Sequence, residues 1–387
     1  MTVSVFSLVM SLLLGTVFIL VTHLFRHCKT FVTGFGVPLI MLMYGICVLR
    51  MVLPVEFPWT VPVGLTSGYA GFFETTYFHE FYVGIFSVSL FEVACWIWLA
   101  GILVNSFVFI CRYFGSRNKV RARVFYKTGE LYEALEAVTG KKNSNIDIFY
   151  SDCVESPMGV GIFRKMILLP AVNYSKKQLH YILLHEVAHF HNHDTLLQVA
   201  TRCFCCFFWW NPAVYLLRRD IEEIMEIRCD LTVTKFLSRS KKKEYLDTIL
   251  WLIKNTGGSV NRITPNASTP LFHNVKEHCM VERFRIVAAE KKCYPCFCRI
   301  LLTIVFLCLF LLSYSFILQP AFDPPVADYS EDGVGMAVDT SDSYILQERD
   351  GTFYLVLKSG EKIPLQDETL DVLRSAGYRI ISSREVR

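Results

Sequence analysis

Four long apolar stretches constrain this chain before any other feature: Val3 to Leu24, Phe31 to Leu53, Val83 to Cys111 and Ile300 to Leu318. Crossing about 30 Å of hydrocarbon takes about 20 helical residues, and each stretch is long enough. Of the 387 residues, 53% are apolar and only 19% charged, whereas soluble domains carry about a quarter charged residues. The expected fold class is therefore an α-helical membrane protein. The first stretch lacks a basic start and a small-residue cleavage site, and a short turn leads straight into the second. It reads as a retained helix.

Lysine and arginine set the orientation. They cluster in "RHCK" after the first span, "CRYFGSRNKVRARVFYK" after the third and "AAEKKCYPCFCR" before the fourth, and none lies in residues 54–82. The positive-inside rule then places both termini outside, residues 54–82 in an outer loop, residues 112–299 in the cytoplasm and residues 319–387 outside. All fourteen cysteines lie in the spans or in cytoplasmic segments, where thiols stay reduced, so no disulfide framework is expected. Cys293, Cys296 and Cys298 lack a partnering pair at zinc-finger spacing and read as apolar filler at the membrane surface. A net charge of +4 is too small to argue for direct contact with nucleic acid. One more apolar stretch, Thr195 to Leu217, is interrupted by Arg202 and by Asn211-Pro212. It reads as helix buried in the protein or lying along the inner interface, with Trp209 and Trp210 at headgroup level.

The cytoplasmic segment contains "HEVAHFHNHD", His185 to Asp194. On a helix, His185 and His189 stand one turn apart on one face, so both imidazoles can reach one metal ion. Glu186 lies beside them, placed to take a proton from metal-bound water. Ser175 can cap this helix, and apolar residues recur before the motif at helical spacing. A polar helix face with two solvated histidines is the plainer alternative. Catalytic zinc wants three protein ligands and one open position. Downstream, "RRDIEEIMEIRCDLTVTKFL" reads as a second amphipathic helix with Glu226 and Asp230 on one face. Glu226 can complete the ligand set, and Asp230 can accept the second ring N–H of a ligating histidine. The alternative for Glu226 is an ordinary exposed acid in a run with Asp220, Glu222 and Glu223.

His-Glu-x-x-His followed by Glu-x-x-x-Asp on a second helix resembles the thermolysin-like gluzincins. More narrowly, the chain resembles the membrane metallopeptidases of the BlaR/MecR type, the beta-lactam sensor-transducers. The matching pieces are "HEVAHFHNHD" with its Asp194, "WWNP" at 209–212, "EIRCD" at 226–230 and "SPMGVGIFRKMILLP" at 156–170, within residues 1–320. The resemblance implies His185, His189 and Glu226 as zinc ligands and Glu186 as general base. Asp230, and Asp194 with it, would support the ligating histidines. It also implies an inserted α+β peptidase domain of gluzincin type, cutting a cytoplasmic protein or peptide: a helix-turn-helix repressor or the chain's own loop. "ELYEALEAV" as a helix and "IDIFYSD" and "GIFRKMILLP" as strands fit such a domain. Ser156 to Pro170 is a candidate edge strand for an added substrate strand, with a plain core hairpin as the equal alternative.

Residues 319–387 are too few for the penicillin-binding sensor of the best-known members. "SGEK" at Ser359 to Lys362 is followed by neither Ser-Asp-Asn nor Lys-Thr-Gly, so sensing by acylation is not expected. The tail reads as a small extracytoplasmic α+β module, ββαβ. Its first two strands flank Asp350-Gly351, a helix lies in "DETLDVLRSAG" and the last strand in "YRIISS". Glu92, the one acid inside a span, is a candidate partner for Arg50, a relay, or a hydrogen-bonding group to a neighbouring helix. Together these readings describe an integral membrane zinc endopeptidase acting as a signal transducer, with a homodimer as a further expectation. A housekeeping membrane protease of the HtpX type and a catalytically silent receptor or scaffold are the alternatives.

Overall fold

A computed structural model describes residues 2–28, 31–65, 76, 80–83, 86–122, 129–140, 145–151, 154, 156–256, 268–270, 277–288, 294–320, 344–347, 352–356, 362–365, 370, 373 and 378–382. The chain divides into two compact units, Met1–Asp323 and Pro324–Arg387.

Helix α1 covers Val5–His27 and begins at a reciprocal cap in which Ser4 and Ser7 each accept the other's backbone N–H. The expected second span is two helices, α2 (Phe31–Phe35) and α3 (Val37–Val52). Gly36 between them has φ 87°, a left-handed position natural only to glycine, and Pro38 sits in the first turn of α3. With 16 residues α3 is about 24 Å long, shorter than a hydrocarbon core. It packs closely on α1: Ser11 Oγ donates to the Arg50 carbonyl at 2.7 Å, and a Cβ on Gly15 would come within 2.9 Å of the Met51 Cβ.

The third expected span starts later than the hydropathy suggests. Strands β2 (Glu80–Val83) and β3 (Phe86–Ser89) form a hairpin, and α4 runs from Leu90 to Ala122. Ser89 and Glu92 set this boundary with a capping box: the Glu92 carboxylate accepts from Ser89 N at 3.0 Å, and Ser89 Oγ accepts from Glu92 N at 3.2 Å. Glu92 is thereby used as a cap and is not paired with Arg50. Arg50 instead donates to Ser313 Oγ at 2.7 Å and to its carbonyl at 3.1 Å, and lies 4.2 Å over the Tyr314 ring.

The fourth stretch is helical only as α11 (Cys296–Leu312); Phe316–Pro320 is a strand, β8, which pairs in parallel with β1 (Val61–Leu65). Among the described residues, Val5–His27 and Leu90–Gly115 are long and apolar enough to cross a membrane, and α3 and α11 are apolar but shorter.

The segment between these helices builds an α+β layer. Helix α5 (Gly129–Thr139) precedes β4 (Ile146–Tyr150), β5 (Met158–Val160) and β6 (Lys165–Leu169). There follow α6 (Lys176–His191), α7 (Asp194–Phe207), α8 (Pro212–Thr234) and α9 (Arg239–Thr256), then β7 (Ser268–Pro270) and α10 (Glu277–Ala288). The sheet order is β4-β6-β5-β7, with β4 parallel to β6 and the other pairs antiparallel. Gly161, at φ 98°, turns the β5–β6 hairpin; a Cβ there would meet the Arg164 carbonyl oxygen at 2.0 Å. This turn occupies the first half of "GIFRKMILLP", which is strand only from Lys165. Ser156 to Pro170 is not the sheet edge expected of it. Its outer backbone groups seek partners, and β7 supplies them, Met158 facing Pro270 and Val160 facing Ser268, so the equal alternative, a core hairpin, is the one the structure has.

Thr195 to Leu217 is two helices, not one. Asn211 ends the break by capping α8, its side chain accepting from Ala213 N at 3.0 Å, and Pro212 fills the first helical position. The apolar face of α8 (Val214, Leu217, Ile221, Ile224, Met225) shares one core with Ile19 of α1, Ile40 and Met43 of α3 and Phe306 of α11. Helix α8 of the α+β layer and the N-terminal helices are thus packed in one core rather than in separate layers.

The second unit holds a four-stranded sheet in the order β11-β10-β9-β12: Lys362–Pro364, Phe353–Val356, Tyr344–Gln347 and Ile380–Ser382. This is one strand more than the expected ββαβ, because Lys362–Pro364 pairs with β10 instead of leading directly to a helix. Asp350-Gly351, Ser359 to Glu361 and most of "DETLDVLRSAG" lie outside the described residues; Leu370 and Leu373 are helical.

Candidate metal centre

Helix α6 is fixed at its start by a capping box, Ser175 Oγ accepting from Gln178 N while the Gln178 side chain accepts from Ser175 N. Its inner face carries His185, Glu186 and His189, all buried, and packs against α8. Two Nε2 atoms, of His185 and His189, stand 3.0 Å apart. Glu226 on α8 places one carboxylate oxygen 3.5 Å from the first and the other 3.5 Å from the second. Four-coordinate zinc with bonds of about 2 Å holds neighbouring donors about 3.3 Å apart. The three side chains therefore fit such an ion in spacing, in donor chemistry and in burial.

Each histidine is held from behind. His189 Nδ1 lies 2.7 Å from Asp194 Oδ2, and Asp194 is in turn paired with Arg228 and accepts from the Cys229 thiol at 3.2 Å. His185 Nδ1 lies 2.9 Å from the Tyr245 hydroxyl oxygen and 3.3 Å from Asp230 Oδ1. Tyr245 donates to Asp230 Oδ1 at 2.6 Å. Asp230 thus lies within reach of the His185 ring N–H, and Tyr245 stands nearer and relays to it. Arg283 on α10 clamps Asp230 through Nε at 2.7 Å and Nη2 at 2.8 Å, and its Nη1 reaches Glu226 at 3.0 Å.

Burial alone would push the His185 imidazole down, but Asp230 and Glu226 outweigh it and raise it to about 9. A site that holds a proton this tightly is one that attracts a cation. Burial pushes the Glu186 carboxyl up to about 7, with His189 and His185 pulling the other way. Neither Glu186 oxygen has a well-formed hydrogen bond among the described residues, although the Gly159 backbone on β5 comes near enough to add to the pull of the two histidines toward the ionised form. Asp230 goes the other way, its desolvation overcome by the Arg283 charge, which holds it well below the usual carboxylate range. Burial raises the Cys229 thiol, so the cluster His189, Asp194 and Cys229 is a hydrogen-bonded support around a neutral thiol.

The structure brings His185, Glu186, His189, Asp194, Glu226 and Asp230 into one cluster. Sequence reasoning missed Tyr245, Arg283 and Arg228. Arg228 sits between two residues already singled out and was within reach. Tyr245 and Arg283 come from α9 and α10, and no periodicity links them to Asp230.

Residues 85–284 match the family model described as BlaR1 peptidase M56. A methicillin resistance mecR1 protein of Staphylococcus aureus is 30% identical over 136 residues, covering 34% of this chain and 23% of that protein. The regulatory protein BlaR1 of the same species is 24% identical over 171 residues, covering 43% and 29%. That of Bacillus licheniformis is 31% identical over 102 residues, covering 26% and 17%. The chain thus spans less than a third of the length of these curated relatives. The family match takes in more than half of the chain and every residue of the cluster just described, so the chain belongs to the BlaR1 peptidase M56 family.

Proposed function

We propose that the chain is an integral membrane zinc endopeptidase and signal transducer, cutting itself or a cytoplasmic protein such as a helix-turn-helix repressor in answer to an outside signal. The observation that carries this reading is the triangle of donors from two buried histidines and the half-buried Glu226, 3.0, 3.5 and 3.5 Å apart, with Glu186 beside it. His185, His189 and Glu226 would hold the ion. Bound there, zinc polarises the scissile carbonyl and acidifies water. Glu186 takes the proton from the attacking water and returns it to the leaving amine; its raised pKa suits both transfers. Tyr245 with Asp230, and Asp194 with Arg228, keep the proton of each imidazole on Nδ1 and leave Nε2 to the ion.

Substrate would lie extended beside β5, whose Gly159 approaches Glu186. The chain's own β7 is seated along that strand. This favours its own loop as one substrate, within Leu237 to Lys292 and more narrowly in residues 257–276 between α9 and α10. A tethered segment presents itself at about millimolar effective concentration, so even a poor sequence can be cut. Kinship with proteins named for regulation and methicillin resistance favours signalling over a housekeeping protease of the HtpX type. Against a silent scaffold stands Glu186, because a buried carboxylate without well-formed hydrogen bonds is costly to fold and serves a scaffold nothing. The positive-inside pattern puts this centre in the cytoplasm and the second unit outside.

Metal analysis tests the ligand set. Relative to wild type, Glu226→Ala and His189→Ala should each lose about one zinc per chain, and Glu186→Gln should keep it. Unchanged zinc in Glu226→Ala would remove Glu226 from the set.

A further inference from the structure

A second group of metal-binding side chains lies away from this centre. His23 and His27 stand one turn apart on α1, Asp220 lies on α8, and one donor atom from each falls within 4.8 Å of the others. His23 Nδ1 is 2.6 Å from Asp220 Oδ2, and the two imidazole rings are 4.4 Å apart between centroids. His27 Nδ1 lies 3.1 Å from the His23 carbonyl oxygen. It carries its proton there, which leaves Nε2 as a free donor.

Asp220 supplies the independent sign of a missing ligand. It is 0% exposed, its Oδ2 already accepts from the Tyr44 hydroxyl, and its Oδ1 has no hydrogen-bond partner among the described residues. A buried carboxylate oxygen left in that state is costly unless a cation or donor reaches it. The surroundings leave room for positive charge. Arg26 is engaged by Glu282 at 2.6 and 2.9 Å and by Glu223 at 3.5 Å, so one guanidinium faces these two carboxylates and Asp220.

We propose that His23, His27 and Asp220 form a second, exchangeable site for a divalent transition-metal ion of the zinc class. Two imidazoles and a carboxylate are the donor set that suits such ions. A tetrahedral ion with bonds of about 2 Å needs donors about 3.3 Å apart, so the His23–Asp220 contact, now 2.6 Å, must open a little and the exposed His27 must turn inward to close the 4.8 Å span of the set. Exposed His27 provides the entry path. The bound ion ties the end of α1 to α8, the helix that also carries Glu226 and Asp230.

The test is zinc content of the full chain, purified without a histidine tag in detergent, stripped of metal and dialysed against low-micromolar Zn2+. Wild type is expected to hold about two zinc ions per chain, and His27→Ala, Asp220→Asn and His189→Ala about one each. His27→Ala with His189→Ala should hold almost none. His27→Ala removes an exposed side chain and leaves the core intact, and unchanged elution on size exclusion checks the fold. The proposal is overturned if His27→Ala keeps the wild-type zinc content, or if His189→Ala alone removes all zinc.

Discussion

Glu186 and Asp230 are both fully buried carboxyls in one cluster, and their neighbours drive them in opposite directions. Burial raises Glu186 to about 7, while Arg283 holds Asp230 low. The first is suited to carry a proton, the second to remain an anchor. Arg283→Met should leave Asp230 buried without its counter-ion and destabilise the protein by about 3–5 kcal/mol, read as a lower thermal midpoint. Tyr245→Phe removes a hydroxyl that touches both His185 and Asp230. It should weaken zinc binding about 10–100-fold while the chain still folds, measured by competition with a chelator. His185, Glu186 and His189 were legible because helical periodicity ties them to one face. Glu226 and Asp230 were legible by the same rule on a second helix. Tyr245 and Arg283 were not, since tertiary packing alone brings α9 and α10 to Asp230.

At the level of elements, hydropathy located the apolar stretches but misplaced their ends. Hydropathy counts side chains, whereas helix ends follow backbone chemistry: the Ser89–Glu92 cap at α4, the positive φ of Gly36 before α3, and strand pairing after Leu312. The edge strand failed for a related reason. Nothing local to Ser156–Pro170 foretold that Ser268–Pro270 would pair with it. The β5–β6 turn gives this layer its own test. Gly161→Ala places a Cβ against the Arg164 carbonyl at a left-handed φ, costing about 1–3 kcal/mol. The distortion runs through β5 to Gly159 beside Glu186. Cleavage should therefore fall while zinc content stays at the wild-type level, a split that metal analysis and a peptide assay together would read.

At the scale of the molecule, the first unit packs three apolar helices, α1, α3 and α11, in one core with α8, the helix that carries Glu226 and Asp230. The orientation proposed from the basic segments predicts a labelling pattern in intact cells. A membrane-impermeant thiol reagent should miss the native cysteines from Cys153 to Cys298 and label a cysteine introduced at Ser330. Labelling of Cys153 from outside would put the centre in the wrong compartment. The most direct test of the account is to load the purified full chain with zinc, as wild type and as Glu186→Gln, and map new peptide termini by mass spectrometry. Zinc-dependent termini between residues 257 and 276 in wild type, absent from Glu186→Gln at equal zinc content, are what the account predicts. A zinc-loaded wild type that stays intact would remove self-cleavage and leave only a separate substrate, and equal cleavage in both proteins would contradict the account.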